Sequence, residues 1–448
     1  MEHKPNFKEL VGFNPALDKY FNDVTQKYDF FNSNQGLIDF SQTALEKYFS
    51  LKIKIDPHRL CPRIYNRVDY VEFVLQLMNL YSCETQHFIN RQVKRYLGLD
   101  VGTGHTAIYP LLTMSIIDKR NESGSKVNET IDLKFIGSDI DSKSVCLAKE
   151  NIILNEKLIS GRIEIVEVSP SRNESYSYLL RRLNLDGEAD RLAFVMCNPP
   201  FYSSMSELEE KESFKKQSPL SGRVQATNNE LITPGGEVQF ITDLIEESVV
   251  IQGSKGVDRI KWYTSLVGNF ASITVLTKAL RERSISNFGV HQFKSSEKKG
   301  GTRRWIVYWS FDLTWRPPGK FFNVEHEKNH CVRNIDTRMS YSEVVSALES
   351  LPQHSLQYES KQKAAKQYLI KVKFKEIVWT RTYRRSLKNG DQKRRKIEAQ
   401  LDVDISISAQ LAVSSNWRGG ESYSNFESFC GWLNGCYEFK KGNKNKII

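Results

Sequence analysis

A chain of 448 residues with 40% hydrophobic content is long enough to bury more than one core, which excludes wholesale disorder. Its seven cysteines, at 61, 83, 146, 197, 331, 430 and 436, form no C-x-x-C pair, which excludes a disulfide framework and fits a reducing compartment. The net charge of +11 is local: residues 361–396 hold 14 Lys and Arg against the acids Glu376 and Asp391, leaving the rest of the chain near neutral.

The first 60 residues read as an N-terminal extension ahead of a domain over 61–314. There a strand-like run at 96–101 enters the glycine turn Asp100-Val101-Gly102-Thr103-Gly104-His105, and a helix begins near Ala107. Glycine at 102 and 104 lets the backbone turn sharply and approach a ligand. Gly102-x-Gly104-x-x-Ala107 also satisfies the dinucleotide fingerprint, so by itself it leaves NAD and S-adenosylmethionine both open. A second strand, 133–139, ends in Asp139, a carboxylate suited to ribose hydroxyls. Asp139 lies 39 residues beyond Asp100, against about 20 in the usual fingerprint, and the polar stretch 118–130 accounts for the surplus as a surface insertion.

A helix over 142–158, a strand over 162–168, a helix over 176–185 and an apolar strand over 192–197 follow. Further on come a strand over 260–266, a helix over 272–283, and strands over 287–293 and 304–310 with no helix between them. This alternation predicts an α/β fold, a doubly wound, seven-stranded Rossmann-like sheet with an antiparallel last strand. That ending is the methyltransferase variant of the fold. Ligands of such sheets bind at the carboxyl ends of the strands, which puts Gly102, Gly104, Asp139 and Asn198 on one rim.

Asn198-Pro199-Pro200-Phe201 is the most informative tetrapeptide. The two prolines fix their own φ and hold the residue before them extended, so Asn198 is presented stiffly at a strand end. Its side-chain oxygen and the Pro199 carbonyl can accept the two hydrogens of a planar exocyclic amine, and Phe201 offers a face for a flat base. Accepting both hydrogens aims the nitrogen lone pair at an electrophilic methyl. Residues 203–235 are polar without clear period and read as a loop that orders over bound RNA.

Trp315-Arg316-Pro317-Pro318-Gly319-Lys320 opens a linker over 315–334, and 335–448 reads as a basic α+β accessory domain. Its expected elements are a helix over 340–351, a long strand over 368–385, a strand over 405–413 and a helix over 426–437. Cations interleaved with Tyr368, Phe374, Trp379 and Tyr383 suit phosphate binding with occasional stacking. Lys371, Lys373, Arg381, Arg384, Arg385, Lys393, Arg394 and Arg395 are the candidate RNA contacts. Lys393-Arg394-Arg395-Lys396 also suits nuclear import. No apolar run reaches membrane-spanning length, and His326, His330 and Cys331 lack a fourth ligand, so neither membrane nor metal is expected.

Six stretches occur in a shared order: Asn6-Phe7-Lys8-Glu9-Leu10 with Gly36-Leu37-Ile38-Asp39-Phe40, Asn66-Arg67-Val68-Asp69-Tyr70, Asp100 to Gly104, Cys197 to Phe201, Gly235-Gly236-Glu237, and Arg304-Trp305 with Trp309-Ser310-Phe311. Through them, residues 6–312 resemble the methyltransferase-like protein 16 family of RNA adenine methyltransferases, as a divergent, fungal-like member, and a related bacterial ribosomal RNA adenine methyltransferase. The resemblance implies S-adenosylmethionine as cofactor, with Arg67 on its methionine carboxylate, Asp100, Gly102, Thr103 and Gly104 lining its pocket, Asp139 on its ribose and Asn198 bordering it. It further implies that Asn198 to Phe201 hold the target adenosine and that Arg304 touches RNA. Asp69 and Asp139 stand where the family usually has Asn and Glu, and Gly301 stands where it tends to have Arg, which moves that contact to Arg303 or Lys299. Residues 169–175 match in position a family loop that can occlude the pocket. The implied reaction is N6-methylation of adenosine in structured RNA, foremost U6 small nuclear RNA, in the nucleus. A ribosomal RNA substrate, a protein glutamine substrate, and an RNA-binding or chaperoning role with weak methyl transfer remain as alternatives.

Overall fold

Parallel strands covered on both faces need unbroken apolar runs, and Leu192–Cys197 meets that need with every residue buried. The computed structural model that places this strand describes residues 6–85, 94–122, 131–168, 192–215, 226–253, 260–293, 303–313, 315–317, 321, 332–388, 398–420 and 422–444. The chain divides into two compact units, Met1–Ser310 and Phe311–Ile448.

Strands are numbered along the chain. After a short hairpin of β1 (Phe21–Asn22) and β2 (Lys27–Tyr28), the first unit contains β3 (Lys94–Val101), β4 (Ile131–Asp139), β5 (Ile163–Glu167), β6 (Leu192–Cys197), β7 (Ile260–Val267), β8 (Asn287–Gln292) and β9 (Trp305–Ser310). The last seven form one sheet in the order β5-β4-β3-β6-β7-β9-β8. Pairing is parallel from β5 to β7, and β9 runs antiparallel to both of its neighbours. The expected seven-stranded fold with an antiparallel last strand is therefore found.

The N-terminal residues build a small aromatic core from Leu10, Leu17, Phe30, Phe40 and Ala44. The segment after it is stitched to the sheet unit by two carboxamides. Asn155 Oδ1 accepts from Lys52 N–H at 2.9 Å and its Nδ2 donates to Lys52 O at 2.7 Å; Asn151 does the same to Lys54 at 2.7 and 3.0 Å. Each side chain thus imitates the edge of a strand.

Several expectations need correction. The helix expected over 142–158 is two, Ser142–Leu154 and Glu156–Ile159. The polar insertion begins as helix Ile108–Glu122, whose Asp118 receives two hydrogen bonds from Arg162. Residues 203–235 are not a loop throughout, since they carry helices Met205–Lys215 and Asn228–Leu231. The helix expected over 176–185 and the loop 169–175 lie outside the described residues.

The second unit is a five-stranded antiparallel sheet of β10 (Val332–Arg338), β11 (Leu356–Ala364), β12 (Gln367–Glu376), β13 (Glu398–Ile407) and β14 (Ala412–Gly419), in the order β10-β14-β13-β12-β11. Its buried face includes Ile370, Val372, Phe374, Val403 and Ile405, packed with residues of helices Tyr341–Glu349 and Tyr423–Lys444. The stretch expected as linker contributes to this unit: the Arg316 guanidinium lies 3.4 Å from the centre of the Trp417 ring, and β10 begins inside it. The strand expected over 368–385 stops at Glu376, and helix Arg381–Lys388 follows, its Tyr383 N–H bonded to Thr380 Oγ1 at 3.3 Å. The strand expected over 405–413 is the end of β13, a turn at 408–411 and the start of β14.

Candidate active site

Three strand ends stand abreast. Val101 of β3 pairs with Ser138 of β4 on one side and Cys197 of β6 on the other, so Gly102, Asp139 and Asn198 leave the sheet side by side at its carboxyl rim. Gly102 and Gly104 have φ of +71° and +66°, a backbone that any other residue would adopt under strain. The turn is held from β4. Ser138 O accepts from the N–H groups of Gly102 and Thr103, both at 2.9 Å. Asp139 Oδ2 accepts from Gly104 N–H at 2.9 Å and its Oδ1 from Asp141 N–H at 3.0 Å. Burial raises the Asp139 carboxyl in spite of those two donors. A carboxylate has about four acceptor sites, so Asp139 can brace the turn and still receive a ribose hydroxyl.

Asn198 Oδ1 is buried without a hydrogen-bond partner, and Asn198 lines one cavity with Arg67, Gly102, Gly104 and Asp139. Arg67 donates through Nη1 to Tyr109 Oη at 2.5 Å, while its buried Nε has no partner. Asp100 stands one residue inward, fully buried. Burial pushes its carboxyl up to about 7, with Thr103 opposing, Asp139 adding and Arg67 opposing.

Reading the sequence found the tetrapeptide but not its supports. Pairing between β6 and β7 runs only to Val195 and Tyr263. Beyond that point the buried Tyr70 hydroxyl fills the gap: it accepts from Cys197 N–H at 3.1 Å and lies 2.8 Å from Thr264 Oγ1, which donates to Val195 O at 2.7 Å. The Tyr70 ring meets Tyr109 edge-on at 5.3 Å, which joins the support of Asn198 to that of Arg67. Phe201 is backed by Gly268, where a β-carbon would come within 2.7 Å of the ring. Behind it, buried Glu237 accepts from Gly268 N–H at 2.7 Å, Asn269 N–H at 2.9 Å and Ser272 Oγ at 2.7 Å, so it fixes the start of helix Phe270–Glu282. Gly235-Gly236-Glu237 was visible as a motif, but its role depends on contacts some 30 residues away, as the 31-residue span from Glu237 to Gly268 shows.

Arg304 lies over Phe201, its guanidinium 5.2 Å from the ring centre. Burial lowers its pKa, the charges of Arg67 and Arg63 act the same way, and Glu237 and Tyr202 oppose them. Arg303 is exposed. In the second unit, Lys371 pairs in register with Asp404 and Lys373 with Asp402, and Lys371 Nζ is 3.5 Å from Glu359. Those two cations therefore belong to a lattice of both signs. Arg381 and Arg385 are exposed on their helix; the Arg384 side chain and Lys393, Arg394 and Arg395 lie outside the described residues.

A family model described as RNA methyltransferase matches residues 1–312. The chain belongs to this RNA methyltransferase family. It is 28% identical over 410 residues to the U6 small nuclear RNA (adenine-(43)-N(6))-methyltransferase of Schizosaccharomyces pombe, covering 91% of this chain and 94% of that protein. It is also 28% identical over 317 residues to the Ribosomal RNA large subunit methyltransferase F of Pseudoalteromonas translucida, covering 68% of this chain and 90% of that protein. The hMettl16 catalytic domain in complex with MAT2A 3'UTR hairpin 1 shares the fold at a TM-score of 0.54 and 24% identity, covering 69% of this chain and 92% of that chain.

S-adenosylmethionine is the methyl donor of such an RNA methyltransferase, and the cavity fits it. A glycine turn with positive φ, a strand-end carboxylate, and unpartnered buried atoms on Arg67 and Asn198 surround the same hollow. Among the described residues no cluster of His, Cys, Asp and Glu is arranged for a metal, and no helix is long and apolar enough to cross a membrane.

Proposed function

We propose that this RNA methyltransferase forms N6-methyladenosine in structured RNA, with U6 small nuclear RNA as its substrate in the nucleus. The observation that carries the reading is the buried, unpartnered Asn198 Oδ1 at the rim of the cofactor cavity, two prolines away from Phe201. When bound, S-adenosylmethionine supplies an electrophilic methyl group. Asn198 Oδ1 and the Pro199 carbonyl accept the two hydrogens of the adenine amine and turn its lone pair outward. Phe201 carries the base on the face that Arg304 now covers, so Arg304 moves aside or closes over the base. Fixed groups of this kind act by orientation, and no general base is needed because the methylated amine becomes acidic once cationic.

Residues 1–60 and the second unit, with Arg303, Arg381 and Arg385 among the contacts, extend the grip on RNA in this reading. The U6 relative supports it because its match spans 91% of the chain, whereas the ribosomal relative's spans 68%. The test is transfer of a labelled methyl group to total nuclear RNA and to ribosomal RNA, with the modified nucleotide located by sequencing. N6-methyladenosine in a U6 transcript is the expected product; label confined to ribosomal RNA or to protein glutamine overturns the assignment. Tight RNA binding without uptake of label or cofactor would leave an RNA-chaperoning role instead.

A further inference from the structure

The glycine turn carries one more hydrogen-bonding side chain into the cofactor cavity. His105 is only 2% exposed and lines the cavity together with Gly102 and Asn198. Its own carbonyl accepts from Asn151 Nδ2 at 3.1 Å, which anchors the backbone. The ring has two unlike sides. Nδ1 lies 3.5 Å from Glu230 Oε1, whereas Nε2 is buried with no hydrogen-bond partner.

Glu230 is itself fixed. Its Oε2 accepts from Thr227 N–H at 2.8 Å, from Leu60 N–H at 3.1 Å and from Thr227 Oγ1 at 3.1 Å. Burial raises its carboxyl, but His105 and the N–H groups of Thr227 and Leu60 outweigh burial and the net shift is downward. An ionised carboxylate beside Nδ1 keeps the proton of a neutral imidazole on that nitrogen, which leaves Nε2 as an acceptor. A buried acceptor at the wall of a ligand cavity is satisfied when the ligand brings a donor. S-adenosylmethionine offers ribose hydroxyls and an α-ammonium.

We infer that His105 is a further cofactor-binding residue whose Nε2 accepts a hydrogen bond from a ribose hydroxyl or the α-ammonium, with Glu230 as the positioning residue that sets its tautomer. The inference rests on the cofactor assignment above. It also ties cofactor and substrate sides together, because Glu230 stands on the short helix Asn228–Leu231, and Leu231 O accepts from Tyr202 N–H at 2.9 Å next to the catalytic tetrapeptide.

The experiment is calorimetric titration of the full chain, without RNA, with S-adenosylhomocysteine and with adenosine. His105→Ala is expected to weaken S-adenosylhomocysteine about tenfold, the size of one lost hydrogen bond. A matching loss for adenosine assigns the ribose, and a loss confined to S-adenosylhomocysteine assigns the ammonium. Glu230→Gln keeps an oxygen for Thr227 and Leu60 but turns an amide donor toward Nδ1, which drives the ring proton to Nε2. It should weaken binding in the same direction, with the ligand-free protein still unfolding in one cooperative transition at a modestly lower midpoint because the ionised carboxylate stabilises the fold, and it carries the test should His105→Ala not fold. Affinities within twofold of wild type in both variants overturn the role of His105 alone; a wild-type chain that takes up no S-adenosylhomocysteine overturns the cofactor assignment and this inference with it.

Discussion

At the rim of the first sheet, Asn198 Oδ1, Arg67 Nε and His105 Nε2 are buried without partners around one cavity, whereas on the exposed part of the second sheet Lys371 lies beside Glu359. A buried polar group left unpaired costs about 1–3 kcal/mol, so three around one hollow indicate a ligand of defined shape that completes them. Exposed ion pairs are worth roughly 0–1 kcal/mol each and fade with salt. The first region thus fits one molecule in one pose, whereas an exposed pair such as Lys371 with Glu359 adds little to stability and tolerates variation.

The sharpest way to break that contrast is Asn198→Ala, for which methyl transfer should fall by about 10²–10³-fold, the cost of removing a fixed polar group at a reacting centre. S-adenosylhomocysteine affinity should stay close to wild type, so a parallel collapse of affinity would mean that Asn198 serves the cofactor rather than the amine.

Asp100 tests the same region through pH. Its carboxyl is raised from 3.8 to about 7 in the folded chain, so its contribution to stability is complete below 3.8 and is lost as pH rises through about 7. Asp100→Asn should therefore raise the thermal midpoint of the ligand-free protein at pH 8, by the equivalent of ~2–4 kcal/mol. In the wild type, cofactor donors favour the carboxylate, so affinity should climb as pH passes 7 with proton release on binding; calorimetry in two buffers of different ionisation enthalpy reads that release, and a flat profile would refute it.

A smaller effect is expected from Tyr70→Phe, which strands the buried Cys197 N–H. Turnover should drop about tenfold with little change in KM for the cofactor, alongside a stability loss of about 1–3 kcal/mol in denaturant. Equal loss in both kinetic constants would show that Tyr70 supports the pocket generally. The mildest change belongs to the other region: Arg381→Ala with Arg385→Ala should weaken RNA binding about fivefold at physiological salt and flatten its salt dependence by roughly one to two units of slope, leaving S-adenosylhomocysteine binding untouched. Filter binding across a salt series decides it.

The central strands were legible because burial on both faces demands continuous apolar runs such as 192–197, and the rim followed from where those runs end. What escaped notice has physical reasons. Helix Met205–Lys215 is rich in polar residues, and among its described side chains Leu208 is buried, so the sequence shows no clear apolar stripe. The apolar run Ile377, Val378 and Trp379, close behind the alternating Ile370, Val372 and Phe374, hid the end of β12 at Glu376. Ile405, Ile407, Leu411 and Val413 keep period two across a turn in which Leu411 has φ of +64°, so two strands looked like one. β11 buries little beyond Leu356, and a mostly exposed strand carries no hydrophobic signal. Tyr70 and Cys197 meet across 127 residues, a partnership that no local pattern announces.

The alignment of Val101, Ser138 and Cys197 sets a rule for how this protein can change length. Residues added before β4, where the chain between Asp100 and Asp139 is already long, lengthen the far side of the sheet and leave the three termini in step. One residue gained or lost within a strand, between its pairing and its end, would turn the final side chain to the opposite face of the sheet. Relatives can therefore be anticipated to vary freely at the amino ends of these strands while keeping the other ends in fixed phase, however far their sequences have drifted.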